Sequence, residues 1–187
     1  MDLKKALTYI AFGFLFTLAN FNLSLNGTTV NIMPDFIGWI LFFLAYDRLG
    51  DYISSRPYMK WAALILAVLS CGLWVLELAG SLFPADALRT VVNIASLIYM
   101  YVLFDCLEKV TEDRIPQRTM TVRVLKYFNV AVYAMFVAVF VIFQYVQNET
   151  LLILAGMLGM TAVVAAIYTA VMLFGLRSDI INRNEEE

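Results

Sequence analysis

Long apolar runs separated by short charged links dominate the chain. The first runs from about Ala6 to Asn22, after Lys4 and Lys5, and no charge occurs between Lys5 and Asp35. The second starts at Pro34 and ends near Ile53, the third spans Trp61 to Phe83, and the fourth spans about Ala87 to Leu107. The fifth runs from Val124 to Gln147 and the sixth from Thr150 to Leu176. A helix needs about 20 mostly apolar residues to cross a bilayer. The pattern therefore predicts an all-α membrane protein with six transmembrane helices. The links Phe83-Pro84-Ala85-Asp86 and Gln147-Asn148-Glu149-Thr150 are short, which suits helical hairpins. Six helices then group as three hairpins, 1–2, 3–4 and 5–6.

The cations orient these hairpins. Lys4 and Lys5 precede the first run; Arg48, Arg56 and Lys60 fall at the end of the second and in the link after it. Lys109, Arg114, Arg118, Arg123 and Lys126 lie between the fourth and fifth, and Arg177 and Arg183 follow the sixth. With the N-terminus inside, all of these are cytoplasmic and only Arg89 is outside. That is the bias of the positive-inside rule. It places both termini in the cytoplasm, with residues 1–180 as one transmembrane domain and 181–187 as an acidic cytoplasmic tail.

The second run breaks the pattern. Only eleven uncharged residues, Phe36 to Tyr46, precede Asp47 and Arg48. They cover about 16 Å of helix against a hydrocarbon core of about 30 Å. Either the helix continues through Asp47, Arg48 and Asp51, whose charges snorkel to the inner interface, or the linker before Pro34 dips into the membrane as a re-entrant segment. The linker carries its own signal. Phe21-Asn22-Leu23-Ser24-Leu25 and Thr28-Thr29-Val30-Asn31-Ile32 alternate around Asn26-Gly27. Asn-Gly between alternating runs favours a type I′ turn, so a short outer β-hairpin is expected between helices one and two.

Composition agrees and removes several chemistries. The 187 residues are 62% apolar and 15% charged, against roughly 45–50% and 25% in soluble domains. The excess reads as surface facing lipid. A net charge of −2 leaves no nucleic-acid footprint. The chain has no histidine, which excludes Ser-His-Asp and Cys-His catalysis and His-ligated haem or zinc. Cys71 and Cys106 lack metal-ligand spacing and read as small core residues. No cofactor or metal is expected, and no nucleophile–base pair suggests an enzyme.

Polar residues inside apolar runs are the remaining candidates. Asp35 follows Pro34 in the first turn of the second helix, where the positive helix end favours a carboxylate. Beyond a good helix start, it offers a cation- or proton-binding group at the outer mouth, with Asn20, Asn22 and Asn31 as neutral oxygen donors nearby. Glu77 sits between Leu76 and Leu78 near the end of the third run, and an acid within a membrane is costly. Folding the hairpin about Pro84 brings Arg89 within its reach, so Glu77–Arg89 is either structural glue or part of a solute path. Asn93 and Ser96 share a face of the fourth helix. Asp105 and Glu108 lie near its inner end, with Lys109 or Arg114 as partners for Glu108. Asn129 and Gln144 are polar candidates in the fifth helix. The site expectation is Asp35, Glu77, Arg89 and Asn93, with Asn20, Asn31 and Asp105 as weaker members. Ala155, Gly159, Ala162, Ala166 and Ala170 give the sixth helix a small-residue stripe for close packing, within the chain or between copies. Trp39, Trp61, Trp74 and the tyrosines read as interface anchors and packing.

The stretch Asn31-Ile32-Met33-Pro34-Asp35-Phe36-Ile37-Gly38-Trp39-Ile40-Leu41 resembles a family of small bacterial multi-pass membrane proteins in which P-D-F-[IL]-G-[YW] opens the second helix. The resemblance covers about a dozen residues and the hydropathy plan. It implies a bacterial plasma-membrane location, supplies no catalytic residues, and draws attention to Pro34, Asp35 and Gly38. Two functional classes follow. One is a small transporter or channel-like protein for a small polar solute or ion, with the lipid bilayer as its setting. The other is a membrane scaffold acting through partners or a homo-oligomer.

Overall fold

In the computed structural model, residues 2–18, 22–25, 28–31, 34–50, 57–79, 86–146 and 148–186 are described. They form α1 (Asp2–Leu18), β1 (Asn22–Leu25), β2 (Thr28–Asn31), α2 (Asp35–Leu49), α3 (Tyr58–Leu78), α4 (Asp86–Arg114), α5 (Pro116–Tyr145) and α6 (Glu149–Glu186). Four helices, α3 to α6, are long and apolar enough to cross a membrane, as a membrane protein requires. α1 has 17 residues and α2 has 15, about 25 and 22 Å at 1.5 Å per residue.

Helix limits depart from the apolar runs in an instructive way. α2 includes Asp47 and Arg48 but stops at Leu49, before the Ile53 boundary expected from hydropathy. Gly50 follows with φ 58°, a left-handed conformation that costs glycine little and ends the helix. α3 stops at Leu78, not Phe83, so Glu77 lies in its last turn. α4 and α5 instead extend into the charged link, leaving only Ile115 between them, with Pro116 opening α5. Lys, Glu and Arg are good helix formers, so the helix outlasts the apolar run. α6 likewise continues to Glu186, through most of the segment expected to be a tail. At its start, the Thr150 amide donates to Asn148 Oδ1 at 2.8 Å, a side-chain cap.

β1 and β2 pair antiparallel, Asn22 with Asn31 and Leu25 with Thr28. The turn residues Asn26 and Gly27 lie outside the described residues, and the type of turn expected there with them. β2 packs against α3.

Consecutive helices pack against each other, and α6 closes on α1, so the six form a ring. Partners run in opposite directions along neighbouring helices. Between α1 and α2, Phe14 meets Phe42 while Tyr9 meets Arg48. Between α2 and α3, Phe36 meets Trp74 while Asp47 meets Lys60. α5 meets α6 through Asn129–Thr169 and Arg118–Asp179. The ends of odd helices therefore gather with the starts of even ones.

The ring is filled from α1, α2 and α4. Phe14 packs on Phe104 with centroids 5.1 Å apart, and Trp39 and Phe42 pack on Tyr99 at 5.2 and 5.7 Å. Trp39 is buried here and is not an interface anchor. The outer surface is the reverse. Trp61, Ile65 and Val68 on α3 and Met157, Val164 and Val171 on α6 are exposed, a girdle of apolar side chains suited to lipid. The α6 stripe divides: Ala162, Ala166 and Ala170 are buried inside the chain, while Ala155 and Gly159 are half-buried.

Candidate functional site

A cavity of about 300 Å³ opens among the helices at the end where α1, α3 and α5 finish and α2, α4 and α6 begin. All six helices contribute to its wall. Asp35, Glu77, Arg89 and Asn93, the four residues singled out in the sequence, all line it.

The close approach of α1 and α2 places two of its polar groups. Gly38 lies against α1 so tightly that a Cβ there would meet Thr17 Cγ2 at 2.5 Å and the Gly13 carbonyl oxygen at 2.7 Å. On the other side Gly13 faces the ring of Phe42, whose Cε1 would be 2.5 Å from an added Cβ. This glycine contact sets Thr17 beside the first turn of α2, from which Asp35 enters the same cavity. Gly38 in the P-D-F-I-G-W stretch thus has a packing reason. Pro34 holds φ −68° and ψ 128° immediately before the helix, and its carbonyl accepts the Ile37 amide at 3.1 Å. Its fixed φ and extended ψ set the direction in which α2 starts.

Arg89 Nη2 donates to Glu77 Oε1 at 2.6 Å, so the expected pair is formed. Both side chains stay about a third exposed, at 35% and 36%. Their positions run against local helix electrostatics. Glu77 is at the negative, C-terminal end of α3 and Arg89 in the first turns of α4, each place mildly unfavourable by roughly 0.3–1 kcal/mol. Each offsets the other's misplacement. Asp35, by contrast, is where a helix start prefers an acid.

The rest of the wall was missed from sequence. Tyr133, Phe136 and Phe140 on α5 line the cavity, as do Trp74 and Ser70 on α3. The three α5 rings stack in sequence, with centroids 6.3 Å apart at each step and planes within 21° and 20°. Their spacing, three and then four residues, marks one helical face. That signal was present in the sequence but is indistinguishable there from ordinary core packing. Trp74, read as an anchor or packing residue, lines the cavity and packs edge-on to Phe36 at 5.7 Å.

Other candidates fall elsewhere. Asp105 is away from the cavity and accepts from Lys126 Nζ at 3.1 Å. Glu108 pairs with Arg123 at 2.5 Å and with Lys126 at 3.1 Å, not with Lys109 or Arg114 as expected. The antiparallel run of α4 and α5 brings those cations alongside. Lys126 is only 4% exposed and also lies over Tyr101, 4.8 Å from the ring centroid. Asn129 donates to Thr169 Oγ1 at 3.0 Å and links α5 to α6. Ser96 donates to the Val92 carbonyl of its own helix at 2.7 Å. Asn20 lies outside the described residues. Asn31 ends β2, and neither its side chain nor that of Gln144 is among those described. Cys71 and Cys106 are not joined in a disulfide. Among the described residues no group of three or more Cys, Asp and Glu has the arrangement of a metal site.

Comparison with protein-family models, with curated proteins and with solved structures finds no match, so the cavity is interpreted from its own chemistry.

Proposed function

We propose that the protein is a six-span membrane protein, with three outward-pointing helical hairpins and both termini cytoplasmic, that binds and passes a small polar solute or ion. The carrying observation is the convergence of Asp35, Glu77, Arg89 and Asn93, from three helices, on one cavity. Ionisable groups on apolar helices are costly and belong to sites or solute paths. Polar residues of three different helices have no reason to meet around open space if each serves only its own helix.

The distribution of charge supports the orientation. Among the described residues, Arg89 is the cation at the cavity end, while Arg48, Lys60, Lys109, Arg114, Arg118, Arg123, Lys126 and Arg177 lie toward the other. The positive-inside rule makes the cavity end the outer one, and the resemblance of the second helix points to a bacterial plasma membrane. At that end β1–β2 connects α1 to α2.

Uptake into proteoliposomes tests the reading. A solute or ion should enter in a pH- or ion-dependent way, and Glu77→Gln should abolish that flux. Absence of flux for every solute tested, with Glu77→Gln unchanged in all respects, would remove the transport reading. Cysteine labelling at Arg114 from the outside of cells would overturn the orientation.

A further inference from the structure

We propose that the ligand of this cavity is a small organic cation, an ammonium or guanidinium-type ion; the proposal rests on the cavity being a binding site and specifies its chemistry. The two sides of the cavity agree on sign. One side is the aromatic ladder Tyr133, Phe136 and Phe140, with Trp74 contributed by α3. The faces of such rings carry negative quadrupole potential and attract cations, quaternary ammonium and guanidinium groups in particular.

The other side carries two carboxylates, Asp35 and Glu77, and one guanidinium, Arg89. Arg89 is bonded to Glu77 at 2.6 Å. An anion would have to separate that pair, and Arg89 is the one cation among the described residues of the lining. Thr17 reinforces the preference. Its hydroxyl proton is given to the Gly13 carbonyl at 2.9 Å, so the cavity sees the oxygen's lone pairs. Helix ends of alternating polarity surround the space, so their dipoles largely cancel and the side-chain charges decide.

Size and surface separate an organic cation from a hydrated metal ion. A volume of about 300 Å³ holds roughly ten waters at about 30 Å³ each and is at the lower limit of small-molecule pockets. A sodium ion filling it with its waters would set that water against the aromatic part of the lining. A cation of about ten heavy atoms or fewer, by the same volume, presents methyl or N–H groups to the rings and its charge to Asp35.

The test is titration of the full-length protein in nanodiscs, followed by calorimetry and by tryptophan fluorescence, at constant sodium chloride. The probes are choline, its uncharged isostere 3,3-dimethyl-1-butanol, and methanesulfonate. Choline is expected to bind at least tenfold more tightly than the isostere, with methanesulfonate showing no binding. Asp35→Asn should weaken choline at least tenfold, and Phe136→Leu several-fold. Equal affinity for choline and the isostere, or preference for methanesulfonate, overturns the cation while leaving a binding cavity. Binding of none of the three overturns both. The isostere comparison uses the unaltered chain, so it decides between these outcomes even where a variant does not fold.

Discussion

The two ends of the bundle treat buried charge in opposite ways. At one end Lys126 is sealed between Asp105 and Glu108, with Arg123 on the same glutamate and Tyr101 under the ammonium. Each of these charges is matched by another side chain. At the other end Glu77 and Arg89 form one pair that stays a third exposed, beside Asp35, on a 300 Å³ space. Charges at either end would be costly alone in lipid. The network around buried Lys126 cross-links α4 to α5. The open one is arranged around a space that the described residues do not fill. The difference teaches that an intramembrane charge is informative through what surrounds its partner, not through its presence.

Substitutions should separate the two ends. Lys126→Met removes the buried cation shared by Asp105 and Glu108, leaving Arg123 on the glutamate, and breaking a buried pair of this kind costs about 3 kcal/mol. Unfolding in detergent should show that loss while choline affinity is unchanged; a cost below about 1 kcal/mol would mean that this end is no more committed than a surface. Gly38→Ala comes next. The added Cβ meets the Gly13 backbone oxygen at 2.7 Å, which cannot rotate away, and overpacking of this kind costs about 1–3 kcal/mol. It should also weaken ligand binding, because Thr17 must shift. Stability and binding that both match the parent would show that α1 and α2 are not held at this distance.

Glu77→Gln is expected to change stability by no more than about 1 kcal/mol, since a pair this exposed contributes little, yet to remove flux. A stability loss as large as that of Lys126→Met would make the pair glue and erase the contrast. Smallest is Gly159→Ala. Its Cβ would lie 3.8 Å from Phe136 Cε2, an ordinary contact, so a change within about 0.5 kcal/mol is expected. A large loss there would show that the α6 stripe is tighter than its geometry.

Reading from sequence reached different depths in different places. Each apolar run contains a helix, because about 20 apolar residues admit few other structures in a bilayer. The limits were less legible. Hydropathy ends where charge begins, but helix propensity does not, so α4 and α5 overran their runs by several residues. α2 ended early because Gly50 adopts a positive φ. The cavity's charged members could be named because an acid or arginine among leucines is conspicuous. Its aromatic wall could not, because Tyr133, Phe136 and Phe140 have the spacing of any packed helical face. Lys126 was legible as a cation near a helix start, and nothing local marks it as buried.

The sequence by itself determined where the helices are, which residues are costly in lipid, and at which ends of the apolar runs the cations cluster. Each of these follows from local composition and from the transfer of single side chains between water and hydrocarbon. Only the tertiary structure decided which charges meet. Partnership depends on the order of helices around the ring and on their opposite directions, which bring Asp105 to Lys126 across one boundary and leave Asp35, Glu77, Arg89 and Asn93 around open space at the other end.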